Sequence, residues 1–488
     1  MVMKSNSETM ESSSRLGVET RGIEHVPESQ RHGTIARFAS VWVGAQLSFN
    51  VIILGWLPAS FGLTFWESAT CITAGLLVGL IFYGPFALLG FRGGTNSSTA
   101  SGAVFGVVGR LIGSIFSVVV ALAFFALVVW SGGAALVSVL ARLFGTTSSD
   151  LALVVCFALM GSITILLAVY GFAWVVRVQV WISILVGAAI AVGFFALAGT
   201  FQDAAQGQLV VAGNPTGTWM LGALIAFSVP ISYGPFVGDY SRYLSETRYT
   251  GRQVVAANTI GMFVGCWAVM LFGAFIGAAS SIELGPVDGL VSASPNWFLA
   301  PILMIALVGT LAQGALALYG TGLDIASIFP GVRRWKATLV VGLVGVGLVY
   351  FGQFVWSVID LVNDFVMILS FVISPWMLIC LIGVARQGWR FDVEDLQVFN
   401  DRRRGGRYWY RNGWEPRAVV AWLGGVTFGM LFSPAASFPG PLAGVFGGVD
   451  VSVVGSLLTG GAIYLLLLKL TPLPRASAHA FEVASERR

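Results

Sequence analysis

The chain has 488 residues, 56% of them hydrophobic and 10% charged, with a mean hydropathy of +0.84 and a formal net charge of +4. A soluble core cannot hide that much apolar surface, so the composition excludes a water-soluble enzyme or binding module and reads as a polytopic membrane protein. The four cysteines sit singly in apolar runs and the three histidines lie in the tails, which argues against a disulfide framework, a metal site or a histidine-based membrane enzyme.

In chain order, residues 1–35 are polar and charged, with no secretory signal pattern, and read as a cytoplasmic tail. Apolar windows of about 20 residues then recur twelve times. They centre near residues 47, 79, 124, 161, 188, 228, 267, 311, 346, 372, 426 and 458. The expected fold class is all-α, with twelve transmembrane helices. Every Lys and Arg except Arg142 falls in the two tails or in alternate loops, which places both termini in the cytoplasm of a multi-pass cell-membrane protein. The densest basic loop covers 387–416; its Arg402-Arg403-Arg404 run is explained by the same topology, with no nucleic acid partner implied.

Span 1 carries "VWVGAQLSFNVIILG" (Val41–Gly55), with Gly44, Gln46, Ser48 and Asn50 at mid-membrane. Span 6 carries "FSVPISYGPFVGDY" (Phe227–Tyr240), where Pro230 and Pro235 each remove a backbone donor. Irregular backbone at membrane depth is tolerated only where protein buries it or where it lines a cavity. Interruptions five spans apart, at matching places in two halves, point to an inverted-repeat transporter with its site near the midplane. No segment between spans resembles a channel filter. Three acids near span ends, Asp239, Asp324 and Asp364, are possible proton sites or structural anchors. No charge sits at a span centre, so the expected substrate is neutral.

Five stretches in register resemble the nucleobase–cation symporter family, the purine–cytosine permease group. They are "RGIEHVPESQR" (Arg21–Arg31) with "VWVGAQLS", then "SYGPFVGDYSRYL" (Ser232–Leu244), "ALYGTGLDI" (Ala317–Ile325), "FVISPWMLICLIGV" (Phe371–Val384) and "RYWYRNGWEPRAVVAWLGGV" (Arg407–Val426). The resemblance implies a leucine-transporter-like bundle. Its five-plus-five inverted repeats cover about 36–200 and 218–386 within a ten-helix core (36–386), with peripheral helices over 417–470 and a cytoplasmic tail over 471–488. It implies cation-coupled import of a small planar heterocycle by alternating access, with Na⁺ or H⁺ as coupling ion and no other cofactor. It places Ser48, Phe125, Gln313 and Ala317 around the substrate; the aromatics near the breaks, Phe49, Phe227 and Tyr233, are expected to add stacking faces, and Ser228 to add polarity. Phe125 falls at the family's stacking aromatic, Val129 at a usual amide, and Ala317 at a usual asparagine. The cation would meet carbonyls of Gly44 and Leu47 and the span-8 positions Val308, Leu311 and Ala312, which lack hydroxyls; Thr310 lies on another face.

The partners expected are therefore a small-molecule substrate and the lipid bilayer. A carrier of another metabolite, such as a vitamin-like ring or an amino-acid derivative, stays open beside a nucleobase carrier, and so does a transport-dead receptor.

Overall fold

The computed structural model describes residues 24–471 apart from 206–208, 211–213, 330–331, 356–357, 436–438 and 448. The tail at 472–488 and the first 23 residues of the tail at 1–35 lie outside the described residues. Nine described helices are long and apolar enough to cross a bilayer: Phe65–Gly93, Leu111–Phe144, Asp150–Tyr170, Pro215–Ser241, Gly251–Ala279, Asn296–Gly322, Trp335–Phe354, Leu361–Arg386 and Ser452–Leu470. A tenth crossing is the bent pair Ile35–Gln46 and Phe49–Ser60, and the shorter apolar helices Trp181–Ala196 and Pro416–Phe432 stand where spans 5 and 11 are expected. The order is consistent with twelve spans, and helix ends carry the signals that set them. Spans 2 and 7 each open on a capping box, Thr64 with Glu67 and Thr250 with Gln253. Span 2 closes on Gly94 in the left-handed region (φ 60°), with Arg92 in its last turn.

The spans sort into two packed groups. Spans 1, 2, 6 and 7 pack chiefly on one another, and spans 3, 4, 8 and 9 do likewise; span 10 joins spans 11 and 12. Each group draws equivalent spans from both halves, as an inverted repeat requires. Short helices also recur at matching places, Ser97–Phe105 after span 2 and Gly285–Ala293 after span 7. Within the first group the backbones approach closely: a Cβ at Gly55 of span 1 would collide with the Met270 carbonyl of span 7, and one at Gly75 of span 2 with the Ala223 carbonyl of span 6. Small residues at such crossings replace the hydrophobic drive that lipid does not supply.

The segment before span 1 is tied down by directional bonds. Val26 N–H donates to the Gly94 carbonyl (2.8 Å) and the Arg31 guanidinium to the Phe91 carbonyl (2.9 Å). Glu28 accepts from the Ser245 hydroxyl (2.5 Å), and Gly33 N–H donates to the Tyr243 carbonyl (2.9 Å). The ends of spans 1, 2 and 6 that meet this segment are thereby held as one body.

Candidate functional site

Span 1 stops at Gln46, resumes at Phe49 and bends by 61° between. Leu47 (ψ 71°) and Ser48 (φ −152°, ψ 159°) leave the helical region at the break. Backbone bonds close only locally, Leu47 N–H to Gly44 (3.3 Å) and Ser48 N–H to Gln46 (2.9 Å). In span 6 the helix runs Pro215–Ser232, tightens to a 3₁₀ turn at Gly234–Phe236 and resumes over Val237–Ser241. Pro230 lies inside the first piece and Pro235 in the 3₁₀ turn, so the sequence signal and the irregularity coincide.

One cavity of about 380 Å³, within the range of small-molecule sites, lies beside both breaks, touching Ala45 just before that of span 1 and Tyr233 and Phe236 at that of span 6. Its inner end is walled by Trp42 and Ala45 of span 1, Ala121 and Phe124 of span 3, Tyr233 of span 6, and Gln313 with Ala317 of span 8. Its mouth lies at the face bearing the amino-terminal segment, beside His32, Arg37 and Arg242. Phe124 and Tyr233 stack at 5.6 Å with 25° between planes, and Trp42 meets Tyr233 edge-on at 5.9 Å and Tyr240 at 5.3 Å. Such ring faces suit a flat guest.

Hydrogen-bonding capacity converges on the same place. Gln313 Nε2 donates to the Tyr233 hydroxyl (2.8 Å), while Gln313 Oε1 is buried without a partner among the described residues. Trp42 Nε1, Asn50 Nδ2 and both amide atoms of Gln46 are likewise buried and unpartnered. Buried polar atoms are normally satisfied, so the open Gln313 Oε1 and Trp42 Nε1, on residues that wall the cavity, mark where a ligand or water completes the set.

Of the eight substrate positions expected from the sequence, the cavity collects Tyr233, Gln313 and Ala317. Phe125 is placed elsewhere: it points into a second apolar cluster with Val129 and packs where Gly345 leaves room. Its neighbour Phe124 lines the cavity, one residue and about 100° around the helix. Phe49 is buried in the main core, and Phe227 faces Phe82 of span 2 at 6.4 Å. Ser228 donates to the Ile225 carbonyl (2.6 Å), and Ser48 donates to Asn50 Oδ1 (2.5 Å). Both hydroxyls are thus engaged within the protein. Trp42 and Ala45 also line the cavity and are not among the expected positions, although span 1 carries both inside its interrupted stretch; a helical projection ending at Gln46 puts the two on one face.

At the expected cation position, Gly309 of span 8 faces the break, and a Cβ there would lie 2.9 Å from the Leu47 carbonyl. A π-helical turn at Ile305–Gly309 precedes it. Val308 and Leu311 pack into apolar clusters and Ala312 is buried, while the Thr310 hydroxyl turns away to the Val128 carbonyl of span 3 (3.2 Å). Gly44 is engaged through its carbonyl by Leu47 N–H. Among the acids, Asp239 lines the cavity, Asp324 is buried beyond it on span 8, and Asp364 is buried on span 10.

A family profile described as permease for cytosine/purines, uracil, thiamine, allantoin matches residues 25–454. A protein of Bacillus subtilis (strain 168) carrying the name purine-cytosine permease YxlA is 27% identical over 476 residues, covering 93% of this chain and 96% of its own. Among solved structures, Mhp1, a nucleobase-cation-symport-1 family transporter, in a closed conformation with bromovinylhydantoin bound, gives a TM-score of 0.69 at 20% identity over 94% of this chain and 98% of that one. The inward-facing conformation of Mhp1 gives 0.71 at 17% identity, over 95% and 98%. A substrate-bound, outward-open Na⁺-coupled sialic acid symporter gives 0.55 at 14%, over 90% and 91%. At these identities the likeness carries the fold, and the leucine-transporter-like architecture expected from the sequence is borne out.

Proposed function

The chain belongs to the nucleobase–cation symporter family of permeases for cytosine/purines, uracil, thiamine and allantoin, and from that premise we propose that it imports a small, flat, neutral heterocycle by cation-coupled alternating access. The observation that carries this reading is the cavity beside two helix breaks, walled by an aromatic stack and by Gln313 with its open amide oxygen. The guest lies against Phe124, Tyr233 and Trp42, and its polar edge meets Gln313 from span 8. Span 3 contributes no amide to the cavity lining, where Ala121 and Phe124 stand. A ring with one hydrogen-bonding edge and an apolar opposite side fits best, because a second buried polar edge would lose about 1–3 kcal/mol per unmet group.

The arginine bias assigns the cavity mouth to the cytoplasm, so the conformation is inward-open, with both termini cytoplasmic. Spans 1, 2, 6 and 7 move against spans 3, 4, 8 and 9, and the guest passes between the two bodies. A co-transported cation is the second cargo; the Leu47 carbonyl and the span-8 turn beside it are its nearest backbone groups in this reading.

The test is uptake into sealed vesicles holding the purified protein, with labelled cytosine, adenine, uracil, allantoin, thiamine and an amino-acid set. Concentrative uptake of a heterocycle under a cation gradient is the expected result. Accumulation of amino acids alone would overturn the substrate class, and binding without accumulation would make the protein a receptor.

A further inference from the structure

We propose that Asp324 is a proton-carrying site of the transport cycle, set on the same stripe of span 8 that faces the substrate cavity. The inference rests on the carrier reading above and names the cation. Gln313, Ala317 and Gly320 all line the cavity, at spacings of four and three residues. Asp324, four further on, continues that stripe by one turn.

The side chain is 2% exposed, and its Oδ2 is buried without a hydrogen-bond partner. It makes no ion pair among the described residues. Other buried acids are anchored. Glu415 pairs with Arg417 at 2.7 Å, and Asp450, although its Oδ2 is also unpartnered among the described residues, accepts from Ser452 N–H through Oδ1 at 2.7 Å. A structural role for Asp324 would call for a comparable partner. Burial with no ion pair among the described residues costs the ionised form more than the neutral acid.

The charged groups facing Asp324 come from both bodies of the bundle. Arg110 stands at the start of span 3, and Asp239 and Arg242 at the inner end of span 6. The Arg110 guanidinium is engaged by the Val107 carbonyl (3.2 Å), Thr99 Oγ1 (2.9 Å) and Asn400 Oδ1 (2.5 Å). The Ser117 hydroxyl of span 3 is buried beside the carboxyl, placed to donate to it. Asp239 and Arg242 line the cavity, so water in it reaches the cluster.

Release breaks the Asp324 O–H bond, passes the proton to cavity water and leaves a carboxylate whose charge an arginine then balances; uptake is the reverse. Because span 6 moves against span 8, the charges facing Asp324 differ between the two end states, and its proton affinity differs with them. That difference couples proton movement to carriage.

The experiment compares wild type, Asp324→Asn and Asp324→Glu as full-length protein in sealed vesicles. The probe is whichever of labelled uracil, cytosine or allantoin the wild type exchanges. With the outside one pH unit more acid and Na⁺ equal on both sides, wild type accumulates the probe up to about tenfold if one proton accompanies each molecule, since one pH unit is a factor of ten. Asp324→Asn loses this accumulation yet keeps probe-for-probe exchange, and Asp324→Glu keeps accumulation with a displaced pH profile. Wild-type accumulation that follows Na⁺ and ignores the pH gradient overturns the proposal, as does an Asp324→Asn that accumulates normally. If Asp324→Asn fails to fold, an unchanged pH profile in Asp324→Glu overturns it equally. Absence of exchange in wild type instead refutes the carrier reading itself.

Discussion

Gln313 of span 8 donates a 2.8 Å hydrogen bond to the hydroxyl of Tyr233, so the amide and the broken stretch of span 6 are joined across the cavity. The bond bridges the two helix groups, and the free Gln313 Oε1 is available to a guest. Replacing Gln313 by Ala removes both the bridge and that acceptor. The expected loss is about 1–3 kcal/mol of substrate binding, roughly five- to hundredfold in affinity. Tyr233→Phe, which keeps the stacked ring, should cost less. Substrate-dependent thermal shifts of the two purified variants check the order.

Phe124 and Phe125 are adjacent in sequence and belong to different surroundings. Phe124→Ala should weaken substrate affinity while leaving the second apolar cluster intact, since its ring stacks on Tyr233 beside the cavity. Phe125→Ala should do the reverse: it empties a fully buried site packed at Gly345 and lowers stability by about 3 kcal/mol. Thermal unfolding in detergent, with and without substrate, separates the two effects. Equal substrate shifts in both variants would contradict the side-chain register described for span 3.

This pair also shows what could be read from the sequence. Span order, the two breaks and their spacing were legible because hydropathy, proline and charge bias are each decided by local composition. The azimuth of a side chain around a span was not, because an apolar helix buried on most sides carries little amphipathic signal. Thus Phe125 stood for Phe124, and Phe49 and Phe227 were expected at a cavity they do not reach. Ser48 and Ser228 were read as open polar groups, but short-range bonds to Asn50 and to the Ile225 carbonyl engage them. Trp42 reaches the site because span 1 ends four residues later, a consequence of chain geometry and not of residue type.

Span 6 offers a backbone test. Pro230 lies inside a helix whose next residues tighten into the Gly234–Phe236 turn, and it packs against Gly79 of span 2. Pro230→Leu restores a backbone donor and favours a continuous helix across the break. The expected result is folded protein with impaired turnover, measured as exchange of labelled substrate across vesicles. Normal turnover would reduce Pro230 to a packing kink.

The segment before span 1 predicts a pH response at the face where the cavity opens. Burial works to raise the Glu28 carboxyl, but hydrogen bonds from the Ser245 side chain and the backbone of Thr247 and Glu246, with the charge of Arg31, outweigh it and hold the group below the usual carboxylate value. A carboxyl lowered in the folded state stabilises the clamp above its unfolded value, and that contribution fades as pH falls through the lowered one. Amide hydrogen exchange at Ser245–Thr247 should therefore be slow and flat at neutral pH, after correction for intrinsic rates, and lose protection on acidification below the ordinary carboxylate range. Glu28→Gln should weaken protection at neutral pH and remove the acid dependence. An unchanged acid dependence in Glu28→Gln would assign the response to another carboxyl, with Glu246, bridged to Arg31 at 3.4 Å and to Arg92 at 2.5 Å, as the next group to substitute.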